Sequence, residues 1–360
     1  MRAMKSTALC LLLAAGAAVA QQQPASVMRQ SPSSREALRA AVAERQRAMA
    51  AAAAVFLDKT RSAETRAAAA RSVPAFVDPQ QVAAAGNVVL DANEPPELRA
   101  LALSRIEHAV DQNPALITAV LQLAGTPSTP QPLRKEAVRV LADLSFSSVS
   151  MRSRSEEFRP TLRKMTSDPD VDVRRTAFSI LAAHADDFAQ QRLIECVRTP
   201  AAPPLPVDEC VLLLGLQLHG DALPAIHQVL LHPPDEASRI SAIRLLGGFA
   251  ESRPQLLAIL RDASQSDSAR LAVLGTLLAN TPEEFPALAL PLVRDESASD
   301  ALRVYAIQAV RQRRSALLQL QKGAAIAPFD QALIELAASS KSELVRKAAQ
   351  DYLRAAGLER

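Results

Sequence analysis

Three histidines and an aspartate, His219, Asp221, His227 and His232, lie within a stretch of fourteen residues. Imidazole and carboxylate groups are common ligands of catalytic metals, so this segment is where the sequence would place a metal-dependent reaction. The histidines fall at one helix end, inside the next helix and at that helix's end, and such spacing does not make them converge. We favour surface or capping histidines, and the alternative is an enzyme or enzyme subunit with a site near His219–His232.

Other signals of catalysis are absent from the sequence. It contains no G-x-S-x-G motif, no Gly-rich phosphate-binding loop and no H-E-x-x-H motif. We therefore expect no catalytic residue, no metal and no cofactor, and we predict that the protein is not an enzyme.

Two cysteines, Cys196 and Cys210, flank the Pro-rich turn PAAPPLP at 200–206. Cys196 lies near the end of a helix predicted over 188–199, and Cys210 lies near the start of the next helix. Both are equally distant from Pro203, so an antiparallel hairpin would bring them opposite each other. We predict a disulfide between them, with two buried free thiols as the alternative.

A charged motif recurs along the chain. In SDPDVDVRRTAFSILAAH (167–184) an acidic turn precedes an arginine, and small or apolar residues follow three, four and seven places later. These offsets describe one face of an α-helix. We call the recurring residues the index arginines: Arg66, Arg99, Arg134, Arg174, Arg239, Arg270, Arg303 and Arg346.

The spacing of the index arginines predicts the architecture. Successive spacings are 33, 35, 40, 65, 31, 33 and 43 residues, and the value of 65 implies one unit without its arginine. Helices introduced by proline lie between the arginine helices, so each unit is a helical hairpin. The chain has no Trp, two Tyr and ten Gly, which favours an all-α fold. We predict a right-handed α-solenoid of about eight or nine hairpins over residues 60–360.

The motif turn-Asp/Glu-x-x-Arg-x-x-Ala resembles the HEAT repeat, particularly the short bacterial form that is similar to the repeats of phycobilisome lyases. The resemblance covers roughly residues 60–356 and implies a ladder in which turn carboxylates and index arginines join adjacent repeats. Here it implies that Asp168, Asp170 or Asp172, together with Arg174, holds successive units in register. Deoxyhypusine hydroxylase shares the repeat and binds iron through His-Glu motifs, but this sequence has no His-Glu dipeptide. The resemblance therefore implies the fold and not that activity.

The N-terminal segment has a different character. Residues 1–20 carry Arg2 and Lys5 before an apolar run that ends Ala18-Val19-Ala20, which is typical of a cleaved signal peptide. We expect a disordered leader over 21–34, a capping helix over 35–59 and export to the periplasm or the extracellular space. Cleavage would leave 39 basic and 38 acidic residues, a balance that does not favour nucleic acid as a partner. We expect no transmembrane segment in the mature chain.

These observations predict a non-enzymatic scaffold that binds an unidentified protein or peptide on the concave face of the solenoid. Residues five places after the index arginines should form an exposed flank of that face, and a basic group follows the seventh of them. The candidate partner surface is Arg139, Arg244, Gln308, Arg311, Arg313 and Arg314. A solvated surface without a partner would have the same polar composition.

Overall fold

The protein is all-helical wherever the structure describes it. A computed structural model describes residues 32–147, 155–199, 203–218, 220–321 and 326–358. Eighteen α-helices lie in these ranges: α1 Pro32–Leu57, α2 Ala63–Arg71, α3 Pro79–Leu90, α4 Pro96–Val110, α5 Pro114–Gly125, α6 Gln131–Ser147, α7 Ser155–Met165, α8 Val171–Ala183, α9 Asp187–Arg198, α10 Val207–Leu214, α11 Ala222–Leu231, α12 Glu236–Leu246, α13 Arg253–Arg261, α14 Asp267–Asn280, α15 Phe285–Arg294, α16 Asp300–Gln321, α17 Ala327–Ser339 and α18 Glu343–Ala356. They form nine successive pairs in these ranges, as the repeat predicted.

Each pair has a first helix and a second helix, and the chain divides after Ala189, inside α9, into two compact units. In the first unit the second helices α2, α4, α6 and α8 pack side by side, and α1 packs on α3 and α5 on α7 in another layer. In the second unit the second helices α10, α12, α14, α16 and α18 pack in the same order, and α15 packs on α17. Each unit is therefore a two-layered stack of hairpins.

Short polar residues and prolines fix where many of the helices begin. Asp78 and Asn113 each accept two backbone N–H groups at the start of α3 and α5, and a proline follows each of them. Ser62, Ser266 and Ser342 cap α2, α14 and α18 through one N–H group. These caps satisfy donors that the first helical turn leaves without a partner, so the hairpin turns are defined by local sequence.

The core of each hairpin is the apolar stripe that follows the index arginine. In α4, Ala102, Leu103 and Ile106 are completely buried, and the equivalent residues of α12 and α16 are buried as well. Each such stripe packs against its own first helix and the neighbouring second helices. Because the stripe has no other partner, a hairpin gains its stability by stacking.

The structure describes the N-terminal segment from Pro32 onwards. The predicted signal peptide and residues 21–31 of the leader lie outside the described residues. Residues 32–34, which we expected in the leader, form the first turn of α1. The predicted capping helix is α1, and it also pairs with α2 as the first helix of a hairpin. Among the described residues, no helix combines the length and apolar character needed to span a bilayer.

Close approach of second helices in the second unit leads to a testable prediction. Gly247 follows α12 with a right-handed backbone, so its backbone conformation does not require glycine. A Cβ atom there would lie 1.8 Å from Cγ2 of Thr276 on α14. We expect Gly247→Ala to lower the free energy of unfolding by about 1–3 kcal/mol, because a methyl group must fit into a packed interface.

The matched control removes the obstruction. Thr276→Ser lacks Cγ2, so the double variant Gly247→Ala/Thr276→Ser should recover much of the loss in chemical denaturation. Gly248→Ala, where a Cβ atom would lie 4.0 Å from Oδ1 of Asn280, should have little effect. Equal losses for Gly247→Ala and Gly248→Ala would show that the two helices do not approach as described.

Candidate functional site

The eight index arginines all occupy one structural position, the fourth residue of a second helix. We call this the index position. In five of them Nε donates a hydrogen bond to a backbone carbonyl ten residues earlier, which belongs to the penultimate residue of the first helix. The five donor–acceptor pairs are Arg66–Phe56, Arg99–Val89, Arg134–Ala124, Arg270–Leu260 and Arg303–Val293, at 2.7–3.0 Å.

This hydrogen bond places a cation at the end of the first helix, where carbonyl groups have no partner within the helix and the helix dipole is negative. It thereby joins the two helices of one hairpin. In all five hairpins the first helix ends nine residues before the arginine. The fixed turn length explains why the same carbonyl is reached each time.

Two other index arginines, Arg239 and Arg346, follow shorter turns. The first helix ends eight residues before Arg239 and seven before Arg346. Within the described residues, the buried Nε of Arg239 has no hydrogen-bond partner. Nη1 of Arg346 instead donates to the carbonyl of Ser340 at 2.6 Å. Arg239 is therefore not equivalent to the other index arginines, although the sequence motif treats it as such.

Of the three aspartates implied to act with Arg174, Asp168 contacts it through its backbone carbonyl and reaches the neighbouring repeat with its carboxylate. Nη1 of Arg174 donates to the backbone carbonyl of Asp168 at 2.7 Å, while the carboxylate of Asp168 pairs with Arg134 of the preceding hairpin. Asp170 caps α8 through the N–H of Asp172, and Asp172 pairs with Arg175. Asp168 thus contacts the index arginines of two successive hairpins, and only its carboxylate bridges between repeats.

A second bridge of this kind lies at the start of the first unit. Arg66 donates through Nη1 and Nη2 to the two carboxylate oxygens of Glu94, at 2.8 and 3.0 Å. Both side chains are almost fully buried, at 6% and 5% exposed. The hydrogen bonds from Arg66 lower the pKa of Glu94, so the carboxylate is charged at neutral pH. Glu94 lies in the acidic turn five residues before Arg99, a position that we did not single out in the sequence.

In the hairpin of α9 and α10 the index position holds Cys210. It is disulfide-bonded to Cys196, with 6.6 Å between the Cα atoms, and both cysteines are buried. The first helix ends twelve residues before Cys210, three more than in the regular hairpins. The regular index arginines bind a helix carbonyl ten residues earlier. Ten residues before Cys210 the chain has already passed the end of α9, so an arginine at this position would not find that helix carbonyl. The disulfide therefore joins the two helices in the hairpin where the arginine hydrogen bond is not available.

The candidate partner surface divides into exposed and engaged residues. Arg244, Gln308 and Arg313 are exposed and Arg311 is half-buried. Arg139 is exposed but surrounded by Glu107, Glu136 and Asp143, whose carboxylates it contacts at 2.7–2.8 Å. The hydrogen bonds to Glu136 and then Glu107 raise the pKa of Arg139.

Arg314 does not belong to a free surface, and its assignment there is corrected. Its guanidinium pairs with Asp330 and donates to the hydroxyl of Tyr352, which also donates to Asp330. The Arg314 side chain is 15% exposed. Burial raises the pKa of Tyr352, and the hydroxyl stays protonated at neutral pH. Arg314 therefore joins α16 to the last hairpin instead of presenting charge to a partner.

The histidine-rich segment gives no metal-binding geometry in the described part of the chain. His219 lies outside the described residues. Nε2 of His227 lies 3.1 Å from the hydroxyl of Ser252, and His232 follows the last residue of α11. In the described ranges, no group of three or more His, Cys, Asp or Glu side chains could hold a metal ion.

A shallow depression between α7 and the end of α8 is lined by Phe158, Leu162, His184 and Asp186. Asp186 is buried, and its carboxylate accepts hydrogen bonds from Arg163 and from the N–H of Ala189. Arg159 pairs with the same carboxylate at 3.1 Å. The carboxylate therefore caps the start of α9 and joins it to α7.

Comparisons with known proteins give low similarity throughout. No protein-family model matches the chain. No curated protein matches it either. Similar solved structures include the CpcE–CpcF complex of phycocyanin lyase from Nostoc sp. PCC7120, with 18% identity over 77% of this chain and 94% of that chain and a TM-score of 0.36. Human deoxyhypusine hydroxylase is 16% identical over 89% of this chain and 99% of that chain, with a TM-score of 0.27.

Kap121p is also similar, with 14% identity over 87% of this chain and 33% of that chain and a TM-score of 0.37. The fold itself is established by the helix pairs and their hydrogen bonds. In its described residues this chain is an all-helical protein of stacked helical hairpins, the α-solenoid class of fold that the repeat predicted.

Proposed function

We propose that the protein is an exported, non-enzymatic scaffold that binds a protein or peptide on the face formed by its second helices. The observation that carries this proposal is the position of the residues five places after the index position. Ser104, Arg139, Ser179, Arg244 and Gln308 are exposed or half-buried, while the index position and the apolar stripe are committed to packing. The exposed flank is therefore the part of the second helices that can vary without loss of the fold.

The chemistry of this flank favours a polar partner. In the first unit it carries Arg139 among three carboxylates, and in the second it carries Arg244, Gln308 and Arg313. Positive, negative and neutral amide side chains together can bind a peptide or protein surface that offers both hydrogen-bond donors and hydrogen-bond acceptors. Stacked helical repeats present such surfaces to other proteins as a general property of the architecture.

A site-specific photocrosslink tests the proposal. A photoreactive residue replaces Gln308 on α16 or, as the matched control, Gln331 on the first helix α17; both glutamines are exposed and lie in the same unit. The variants are made in the native cell and irradiated there, and adducts are sought in the exported fraction. We expect a discrete adduct from position 308 and none from position 331. Equal adducts at both positions, none at 308, or a protein retained in the cytoplasm would contradict the proposal.

A further inference from the structure

Ser340 occupies, in the last hairpin, the position that Asp168 holds in the first unit. Each lies six residues before an index arginine, Arg346 and Arg174. Each accepts a hydrogen bond at its backbone carbonyl from Nη1 of that arginine, at 2.6 Å and 2.7 Å. The two residues are therefore equivalent in structure, although one side chain is a carboxylate and the other a hydroxyl.

The side chain at this position meets the index arginine of the preceding hairpin. In the first unit the carboxylate of Asp168 pairs with Nη2 of Arg134. In the second unit the preceding index arginine is Arg303 on α16, and α16 packs on α18. By this equivalence we expect the hydroxyl of Ser340 to lie near the guanidinium of Arg303.

Both residues at this junction are buried, and within the described residues each has a polar atom without a hydrogen bond. Arg303 is 3% exposed and Ser340 is 4% exposed. Nε of Arg303 donates to the carbonyl of Val293 at 3.0 Å, but within the described residues Nη2 of Arg303 and Oγ of Ser340 have no hydrogen bond. A buried guanidinium is costly unless an opposite charge and hydrogen-bond acceptors accompany it.

The surrounding charges favour an anion over a water molecule. Cationic side chains here are Arg303, Arg346 and Lys341, and the carboxylate that the contacts place beside them is Glu296. Glu296 is bound to Lys341 at 2.9 Å on the exposed rim. Within the described residues no hydrogen bond joins the guanidinium of Arg303 to a carboxylate, whereas at the equivalent junction the carboxylate of Asp168 pairs with Arg134.

We propose that a chloride ion binds at this junction between the guanidinium of Arg303 and the hydroxyl of Ser340. The ion takes the place of the carboxylate that Asp168 supplies in the first unit. The serine side chain is smaller than that of aspartate, so a monatomic anion can take the space that the carboxylate fills at Asp168. The guanidinium and the hydroxyl can both donate hydrogen bonds to such an ion. The bound ion links the last two hairpins and makes the stability of the second unit depend on halide.

Thermal unfolding of the full chain in a chloride titration, with gluconate holding the ionic strength constant, tests this inference. We expect the Tm of the second unit to rise and then saturate with chloride, by a total of about 2–4 °C. Ser340→Asp supplies its own negative charge, so this variant should melt higher without chloride and should not respond to it. Ser339→Asp, which adds the same charge at the adjacent exposed position, should retain the response of the wild type.

Three results would overturn the proposal. A wild-type Tm that is independent of chloride would show that only water occupies the junction. A chloride response that persists in Ser340→Asp, or that is lost in Ser339→Asp, would place the ion elsewhere. Crystals grown in bromide give a second measurement that does not depend on the variants. An anomalous peak between Nη2 of Arg303 and Oγ of Ser340 is expected, and its absence would contradict the site.

Discussion

Arg66→Ala is expected to lower the free energy of unfolding of the first unit by about 3–5 kcal/mol, the cost of removing one partner of a buried ion pair. The variant loses the hydrogen bond to the carbonyl of Phe56 and leaves the carboxylate of Glu94 buried without its bidentate partner. Urea unfolding followed by circular dichroism measures the change. Arg71→Ala, an exposed change near the end of the same helix, is the control and should change stability little.

The pH dependence of this loss separates the ion pair from simple packing. Because Arg66 lowers the pKa of Glu94, the folded chain holds this carboxylate charged more readily than the unfolded chain. The resulting stabilisation is present above the unfolded pKa of about 4.3 and is lost as the pH falls through the lower folded value. The difference between wild type and Arg66→Ala should therefore narrow in acid. A loss that stays constant down to low pH would assign the effect to packing alone.

Cys210→Ala is expected to destabilise the second unit by about 3 kcal/mol, the scale for opening a disulfide loop of this length. Cys196→Ala should cost nearly the same, and the double variant should cost little more, because either change removes the same bond. The measurement is unfolding of the oxidised protein, with the reduced wild type as a further comparison.

The same prediction concerns the redox state of Cys196 and Cys210 in the protein made by its native cell. Non-reducing mass spectrometry of the mature protein should find no alkylatable thiol before reduction. Two alkylatable thiols, or additive losses in the two single variants, would show that Cys196 and Cys210 do not join the hairpin. A disulfide suits an oxidising compartment, so this result also bears on the proposed export.

The periodic part of the structure was predictable from the sequence because it depends on local spacing. The stripe at offsets of three, four and seven from each arginine gave the core face, and symmetry about Pro203 predicted the approach of Cys196 to Cys210. Proline and short polar residues marked the helix starts. These signals need only a few neighbouring residues, so one sequence is sufficient to detect them.

The polar contacts were less predictable because they depend on the exact residue at which a first helix ends. A turn shortened by one residue leaves Nε of Arg239 without the carbonyl that Arg270 reaches. Sequence patterns locate helix ends less closely than this. The partners of Arg314 lie 16 and 38 residues away, at Asp330 and Tyr352, and no repeat motif connects them.

The central claim is that the index arginines of five hairpins bind the first helix of their own hairpin, and that two of them, Arg66 and Arg134, also pair with a turn carboxylate of the next hairpin. Amide hydrogen exchange of Arg134→Ala tests it most directly, because Arg134 contacts Ala124 of its own first helix and Asp168 of the next hairpin. We predict faster exchange in α5, α6 and the turn before α8, with α1 and α2 in the same unit unchanged, since repeats contact only their neighbours. Unchanged exchange in α5 and α6, or an equal increase throughout the first unit, would contradict the claim.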